Sequence, residues 1–313
     1  MAERVLITGG GGFIGSRLAI AHAREGDDVH VLVRPRGLLD ERRLSPGIDV
    51  ARVHLDDLDA LCDCLLKIRP SIIYHLASGT GRDADQRNIA RPKRLTEDLS
   101  NFLNLLTAAN EARPRVLVRT GSLAEYGRGA APSREWQREQ PLADYTTAMV
   151  AATHYAAALQ PRLPFRIATA RLGLTYGVGQ DDSFFLPWIL QRCLDGRESL
   201  VRHPHWRRDL VHVDDVVAGL RALARCEIEG GAVVNLCTGE APSMREVAEL
   251  AVELTGARAD LISFGDPAKE AFGNPILWGS PEVAFAKLGW AAKIGLREGL
   301  VGMIAAMTQR VPA

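Results

Sequence analysis

The sequence predicts an α/β protein, a doubly wound parallel sheet with a smaller C-terminal lobe. Three observations carry this. Through the first half, short β-branched runs alternate with longer helical stretches, the rhythm of βαβ units. Runs such as Ile72-Ile73-Tyr74 are apolar at consecutive positions, as expected where both faces of a sheet are covered. A glycine cluster at residues 9–12 separates the first strand from the first helix.

The strands are read at Arg4–Thr8, Val29–Val33, Ala51–Val53, Ser71–His75, Val116–Thr120 and Arg166–Ala170. Between them lie helices near Phe13–Glu25, Asp57–Ile68, Leu95–Ala112 and Tyr145–Leu159. After about residue 175 proline, tryptophan and mixed loops interrupt this rhythm, with helices near Phe184–Leu194, Val213–Ala224, Met244–Leu254 and Pro281–Leu288. Residues 1–175 are therefore expected to form a dinucleotide-binding domain. Residues 176–313 would form mainly a substrate lobe, with returning segments packed on the first domain. No flexible linker separates them, so one body with a cleft is expected.

Composition narrows the function classes. Of 313 residues, 47% are hydrophobic and 24% charged, and 38 Lys plus Arg balance 38 Asp plus Glu. That balance argues against broad electrostatic binding of nucleic acid or an anionic membrane. No apolar run approaches the roughly 20 residues that span a bilayer, and a cytoplasmic, soluble protein is expected. The five cysteines are scattered without a C-x-x-C, so neither a zinc ribbon nor a thioredoxin-type site is indicated.

The first strand runs into Gly9, Gly12, Phe13, Ile14 and Gly15, a G-x-x-G-x-x-G spacing that opens a helix. Glycines suit a tight turn where a pyrophosphate must approach bare backbone, and the helix start holds its charge. The sheet is thus expected to be of the Rossmann, dinucleotide-binding type. After the second strand, Arg34 and Arg36 stand where a site preferring NAD usually carries an acidic residue. A guanidinium suits a 2′-phosphate, so NADP(H) is preferred and NAD(H) is the alternative; a solvated basic loop is the plain reading. Asp56 and Asp57 follow the third strand, where a carboxylate could accept from the adenine amino group or cap the next helix.

Further motifs follow in order: Tyr74-His75-Leu76-Ala77, Ser122-x-x-x-Tyr126-Gly127, Tyr145, Tyr176-Gly177-x-Gly179 and Arg208-Asp209-Leu210-Val211-His212-Val213-Asp214-Asp215. Over about residues 3–300 the chain resembles an extended short-chain dehydrogenase/reductase of the nucleotide-sugar NAD-dependent epimerase/dehydratase family. The resemblance implies that Leu76, Ala77 and Tyr145 face the cofactor and that Tyr145 acts as general acid/base. Ser122 would hydrogen-bond the same substrate oxygen, and Arg208 would bind the substrate diphosphate. A surface pair between Arg208 and Asp209 is the plain alternative. The stretch Phe264-Gly265 through Asn274 to Leu288-Gly289-Trp290, with Phe185-Leu186-Pro187-Trp188-Ile189, is closest in pattern to the nucleotide-6-deoxyhexose 4-ketoreductases of deoxysugar biosynthesis.

Two departures bear on the chemistry. The family's Tyr-x-x-x-Lys reads Tyr145-Thr146-Thr147-Ala148-Met149, so Met149 holds the position of a lysine that would hold the nicotinamide ribose and lower the tyrosine pKa. Asp98 stands where an asparagine is common. A natural variant with altered chemistry, an engineered Lys→Met substitution and a member that binds without turnover all fit this sequence. Leu123 and Ala124 replace the Asp-Glu pair of the dehydratases, and Glu125 comes one position late. Near the last helix Lys269-Glu270-Ala271-Phe272 supplies no second diphosphate arginine. His203-x-His205 with Asp209 has no third ligand of defined geometry, so no metal is expected.

The expected activity is reduction of a 4-keto-6-deoxy nucleotide sugar by NADPH, with Tyr145 donating the proton. A C4 epimerase with retained NAD and a non-catalytic dinucleotide-binding protein are the alternatives. Long Ala/Leu faces on helices 95–112 and 145–159 suggest a homodimer.

Overall fold

The computed structural model describes residues 2–35, 44–77, 92–266 and 273–309, side chains at 92–95 apart. The first half runs β1 (Arg4–Thr8), α1 (Phe13–Arg24), β2 (Asp28–Val33), β3 (Asp49–Arg52), α2 (Leu58–Ile68), β4 (Ile72–His75), α3 (Pro92–Ala112), β5 (Val116–Ser122), α4 (Asp144–Leu159) and β6 (Arg166–Leu172). Every strand and helix expected here is present, shifted by a few residues at most. The second half runs β7 (Leu174–Tyr176), α5 (Phe185–Leu194), β8 (Ser199–Val201), β9 (Arg207–Arg208), β10 (Leu210–His212), α6 (Val213–Arg225), β11 (Ala232–Leu236), α7 (Met244–Thr255), β12 (Ile262–Phe264), β13 (Ile276–Leu277), α8 (Glu282–Leu288) and α9 (Leu296–Thr308).

Seven parallel strands form one sheet in the order β11-β6-β5-β4-β1-β2-β3. Two apolar layers cover it. Val5, Ile7, Val31, Tyr74 and Val118 pack with α1 and α6, whereas Leu6, Leu32, Ile73 and Leu117 pack with α2, α3 and α4. Alternate residues of each strand thus enter opposite layers, which explains why the strands read as continuous apolar runs. A third cluster, around Leu186, Ile189, Leu190, Val247 and Leu300, forms the core between α5, α7 and α9.

Strand order reverses between β1 and β4, the place where open α/β sheets form a ligand crevice at their carboxyl ends. Thr8 and His75 are register partners across that seam. The sequence reading placed neither β11, which pairs with β6 and completes the sheet, nor α9, nor the short strands β7, β8, β9, β10, β12 and β13. α6, from the second half, packs against α1, so both halves build the same layer.

α4 meets β5 and α3 with three alanines at helical spacing, Ala148, Ala152 and Ala156, all buried. Residues four apart share one helix face. Small side chains there bring the helix close to the sheet.

Candidate active site

The loop after β1 is built around absent side chains. Gly9 takes φ +71°, and a Cβ there would lie 2.8 Å from the Ala77 nitrogen. A Cβ on Gly15 would lie 2.3 Å from the Gly9 carbonyl oxygen, which already accepts from the Gly12 N–H at 2.9 Å. Gly12 is the N-cap of α1 and offers no side chain to its first amides, and the first turn carries no acidic residue. An uncapped helix start free of negative charge suits an anion, so the chain here fits a dinucleotide pyrophosphate. Ile14 turns its side chain into the core layer. Phe13 lines a groove of about 530 Å³ between α1 and α6, with Arg17, Val178 and Gly179.

Across the seam, Thr8 Oγ1 accepts from the Ala77 N–H at 3.3 Å and shares a 2.8 Å hydrogen bond with His75 Nδ1. Burial drives the His75 pKa down to about 3, with the Arg119 charge adding to the effect. Its neutral form therefore favours the folded state. That stability is complete above the unfolded pKa near 6.5 and drains away as pH falls toward 3. Denaturation measured across this window should weaken with acid by up to about 1.4 kcal/mol per pH unit from this group. A His75→Gln variant should lose that part of the slope, and an unchanged slope would remove His75 as its cause.

Ser122 ends β5 and caps the following 3₁₀ turn, Leu123–Tyr126, by accepting from the Ala124 N–H at 3.1 Å. Its hydroxyl proton remains available to a ligand oxygen. Tyr145 sits in the first turn of α4 and keeps 45% of its surface exposed. Burial of the phenol raises its pKa above the ordinary tyrosine value; Arg208 pulls it down in part and Glu125 adds to the rise. This phenol is therefore protonated at neutral pH, an available acid and a weak base.

Arg208, 9% exposed, donates to the carbonyls of Arg207 (2.8 Å), Pro275 (3.1 Å) and Asn274 (3.0 Å) and lies 4.7 Å from the Trp206 ring centroid. Burial lowers its pKa to about 10, with Tyr145 opposing the shift. The surface pair with Asp209 does not form. Asp209 is fully buried and accepts from the Thr238 N–H and hydroxyl, both at 2.8 Å, and from the Gly239 N–H at 3.0 Å.

Glu125, read from sequence as an offset carboxylate, enters a buried ion network. Arg171, 0% exposed, donates from Nε to Glu125 at 3.0 Å and from Nη2 to Glu139 at 2.5 Å. Glu125 also accepts from the Ser122 N–H at 2.9 Å and the Thr153 hydroxyl at 3.2 Å. Burial opposes the Arg171 charge, but Glu125, Tyr126 and Glu139 outweigh it and raise the guanidinium pKa. This carboxylate is committed to holding Ser122 in place.

The 313-residue chain matches the model of the NAD dependent epimerase/dehydratase family over residues 5–237. The chain belongs to this family. It is 27% identical over 310 residues to a dTDP-6-deoxy-L-talose 4-dehydrogenase (NAD(P)(+)) of Kitasatospora kifunensis, covering 95% of this chain and 93% of that protein. The solved structure of MoeE5 in complex with UDP-glucose and NAD has a TM-score of 0.83 at 30% identity, with 97% and 98% of the chains covered. At 21% identity a UDP-glucose 4-epimerase of Thermotoga maritima, with TM-score 0.89 and coverage of 97% and 98%, shows the shared fold.

Within this family member the remaining predicted residues divide. Arg34 is exposed just beyond β2, and Arg36 lies outside the described residues. Asp57 is the N-cap of α2, accepting from the Ala60 N–H at 3.1 Å, so its carboxylate serves the helix. Asp56 is exposed beside His54, 3.4 Å away. Lys269 to Phe272 also lie outside the described residues. His203 stacks on Trp206 with centroids 4.1 Å apart. Among the described residues, the one group with metal-ligand spacing is Asp28, His30 and Asp49, where His30 pairs with both carboxylates at the sheet edge. None of its helices is long and apolar enough to cross a membrane, among the described residues.

Met149 and Asp98 border a recess of about 40 Å³ together with His75, Ala77, Phe102, Arg119 and Thr120. Arg119 was missed by sequence reasoning. Its signal was a charged residue directly after the apolar run Val116-Leu117-Val118, on a strand that both layers cover.

Proposed function

We propose that this protein is an NAD(P)-dependent oxidoreductase of nucleotide sugars, reducing a 4-keto-6-deoxy sugar. The observation that carries this reading is the placement of Tyr145, exposed in the first turn of α4, on the helix that packs against the Ser122 turn. The bound dinucleotide supplies the hydride. Tyr145 donates the proton that the reduced oxygen requires, and Ser122 orients that oxygen through its remaining hydroxyl proton. Arg208 supplies positive charge to the substrate side, with its donors already partly engaged by backbone carbonyls. Dehydration is disfavoured because Glu125 is locked to Arg171.

Arg34, exposed at the end of β2 in place of an acidic residue, supports NADP(H). The relative from Kitasatospora kifunensis is named for NAD(P)(+), and MoeE5 was solved with NAD. α4 exposes Tyr155, which fits a homodimer built through α3 and α4.

Anaerobic incubation with NADPH and a 4-keto-6-deoxy nucleotide sugar should consume NADPH. Tyr145→Phe should lower turnover by about 10²–10⁴-fold while leaving NADPH affinity unchanged. Because the acid form is required, reduction should persist across neutral pH and fail only above the raised phenol pKa. Turnover unaffected by Tyr145→Phe would remove this residue as the acid. The C4-epimerase reading, favoured by the NAD-bound relative, predicts instead NAD retained through purification and no net redox change.

A further inference from the structure

We propose that Arg119 replaces the missing lysine: its guanidinium, reached from the sheet rather than from α4, holds the ribose next to the nicotinamide. This rests on reading the glycine loop as a dinucleotide site.

Arg119 lies at the fourth position of β5, 4% exposed. Nη1 donates to the Thr153 hydroxyl at 2.7 Å, and Nη2 reaches the Met149 carbonyl oxygen at 3.4 Å. The guanidinium also lies 5.2 Å from the Phe102 ring centroid. It therefore rests against the very turn of α4 whose side chain would otherwise have been cationic. Nε, also buried, has no hydrogen-bond partner among the described residues. Buried donors are almost always paired, so this N–H marks a place for a ligand oxygen.

The recess beside it has the matching chemistry. Met149, Arg119, His75, Asp98 and Thr120 border it, and Ala77 links it to the glycine loop through its contact with Gly9. It sits at the carboxyl ends of β4 and β5, beside the strand-order reversal. About 40 Å³ admits a hydroxyl or a water and excludes a sugar ring. A cationic donor with a carboxylate nearby suits a vicinal diol at the mouth, one hydroxyl accepting and the other donating. Met149 completes the arrangement by adding no second cation. An ammonium in its place would face the guanidinium across the recess.

Calorimetry with ADP, ADP-ribose and NADPH separates this role from a structural one, because ADP lacks the second ribose. Arg119→Met should weaken ADP-ribose and NADPH by about tenfold to a hundredfold and leave ADP unchanged. Equal loss for ADP, or no loss for any of them, overturns the proposal. Should that variant fold poorly, Met149→Lys in the otherwise native chain gives a second reading. It should improve NADPH affinity by less than about twofold, since the cation is already supplied; a gain of about tenfold overturns the proposal. The double variant Arg119→Met/Met149→Lys should recover most of the lost affinity. If the native protein binds neither ADP-ribose nor NADPH, the dinucleotide reading falls and takes this inference with it. If it binds both and Arg119→Met binds them equally well, only the inference falls.

Discussion

Replacing Glu125 by alanine should destabilise the protein by about 3–5 kcal/mol, because it leaves a fully buried guanidinium without the fully buried one of its two charge partners. Arg171 has no solvent access and would keep only Glu139, at one Nη. The same change removes the acceptor of the Ser122 N–H and leaves the Thr153 hydroxyl only the Met149 carbonyl oxygen at 2.9 Å. Activity should therefore fall more steeply than stability, since Ser122 loses its anchor. Urea titration of native protein, Glu125→Ala and Glu125→Gln separates charge from hydrogen bonding. The glutamine variant keeps an acceptor and should sit between the other two. Removing both partners, Glu125→Leu with Arg171→Leu, should cost less than Glu125→Ala alone, as apolar replacement of buried ion pairs often does. A loss below about 1 kcal/mol for Glu125→Ala would mean that water reaches Arg171 and screens it.

Gly15→Ala and Gly12→Ala should both weaken dinucleotide binding by about tenfold or more, for different reasons. At Gly15 the new methyl would stand 2.3 Å from the Gly9 carbonyl oxygen and 2.9 Å from the Gly10 Cα, both backbone. The loop and helix must separate, costing about 1–3 kcal/mol of stability as well as affinity. At Gly12 the nearest atom is the Gly9 carbonyl oxygen at 3.1 Å. That contact is tight but yields to a small shift, so the fold should survive with a change under about 1 kcal/mol. The methyl still occupies the approach of the pyrophosphate, and NADPH affinity should fall by about tenfold or more. Thermal melting and calorimetry on the two variants read the difference directly. Native-like NADPH binding by Gly12→Ala would place the pyrophosphate elsewhere.

The sheet was legible because burial on both faces writes itself into local sequence. Ile72-Ile73-Tyr74 and Val116-Leu117-Val118 needed no partner to be recognised. β11 was not legible as part of that sheet, because Ala232–Leu236 pairs with a strand some sixty residues earlier, and local pattern carries no information about such a partner. α9 was lost for another reason: Gly299 and Gly302 interrupt its apolar pattern, and glycine weakens any helix reading. At the site, motif order singled out Ser122, Tyr145 and Arg208 as candidates. It left Asp57 open between the adenine and a helix cap, and the geometry decides for the cap; it could not reveal that Glu125 turns into the core. Arg119 lay outside every motif. Its meaning depends on which turn of α4 it meets, a contact across thirty residues of chain.

The alanine face of α4 has a consequence for how such a site can change. Ala148, Ala152 and Ala156 hold the helix at a height above the sheet fixed by three methyl groups, and Tyr145 rides on that helix. The reach of the phenol is therefore set from beneath the helix, by small residues of which Ala148 and Ala152 also line the recess beside Arg119. Lengthening one of them would act as a shim, lifting the acid away from the Ser122 hydroxyl while every reacting group kept its identity. Drift at these positions can retune which sugar oxygen is within reach, and it would leave no mark in the motifs themselves.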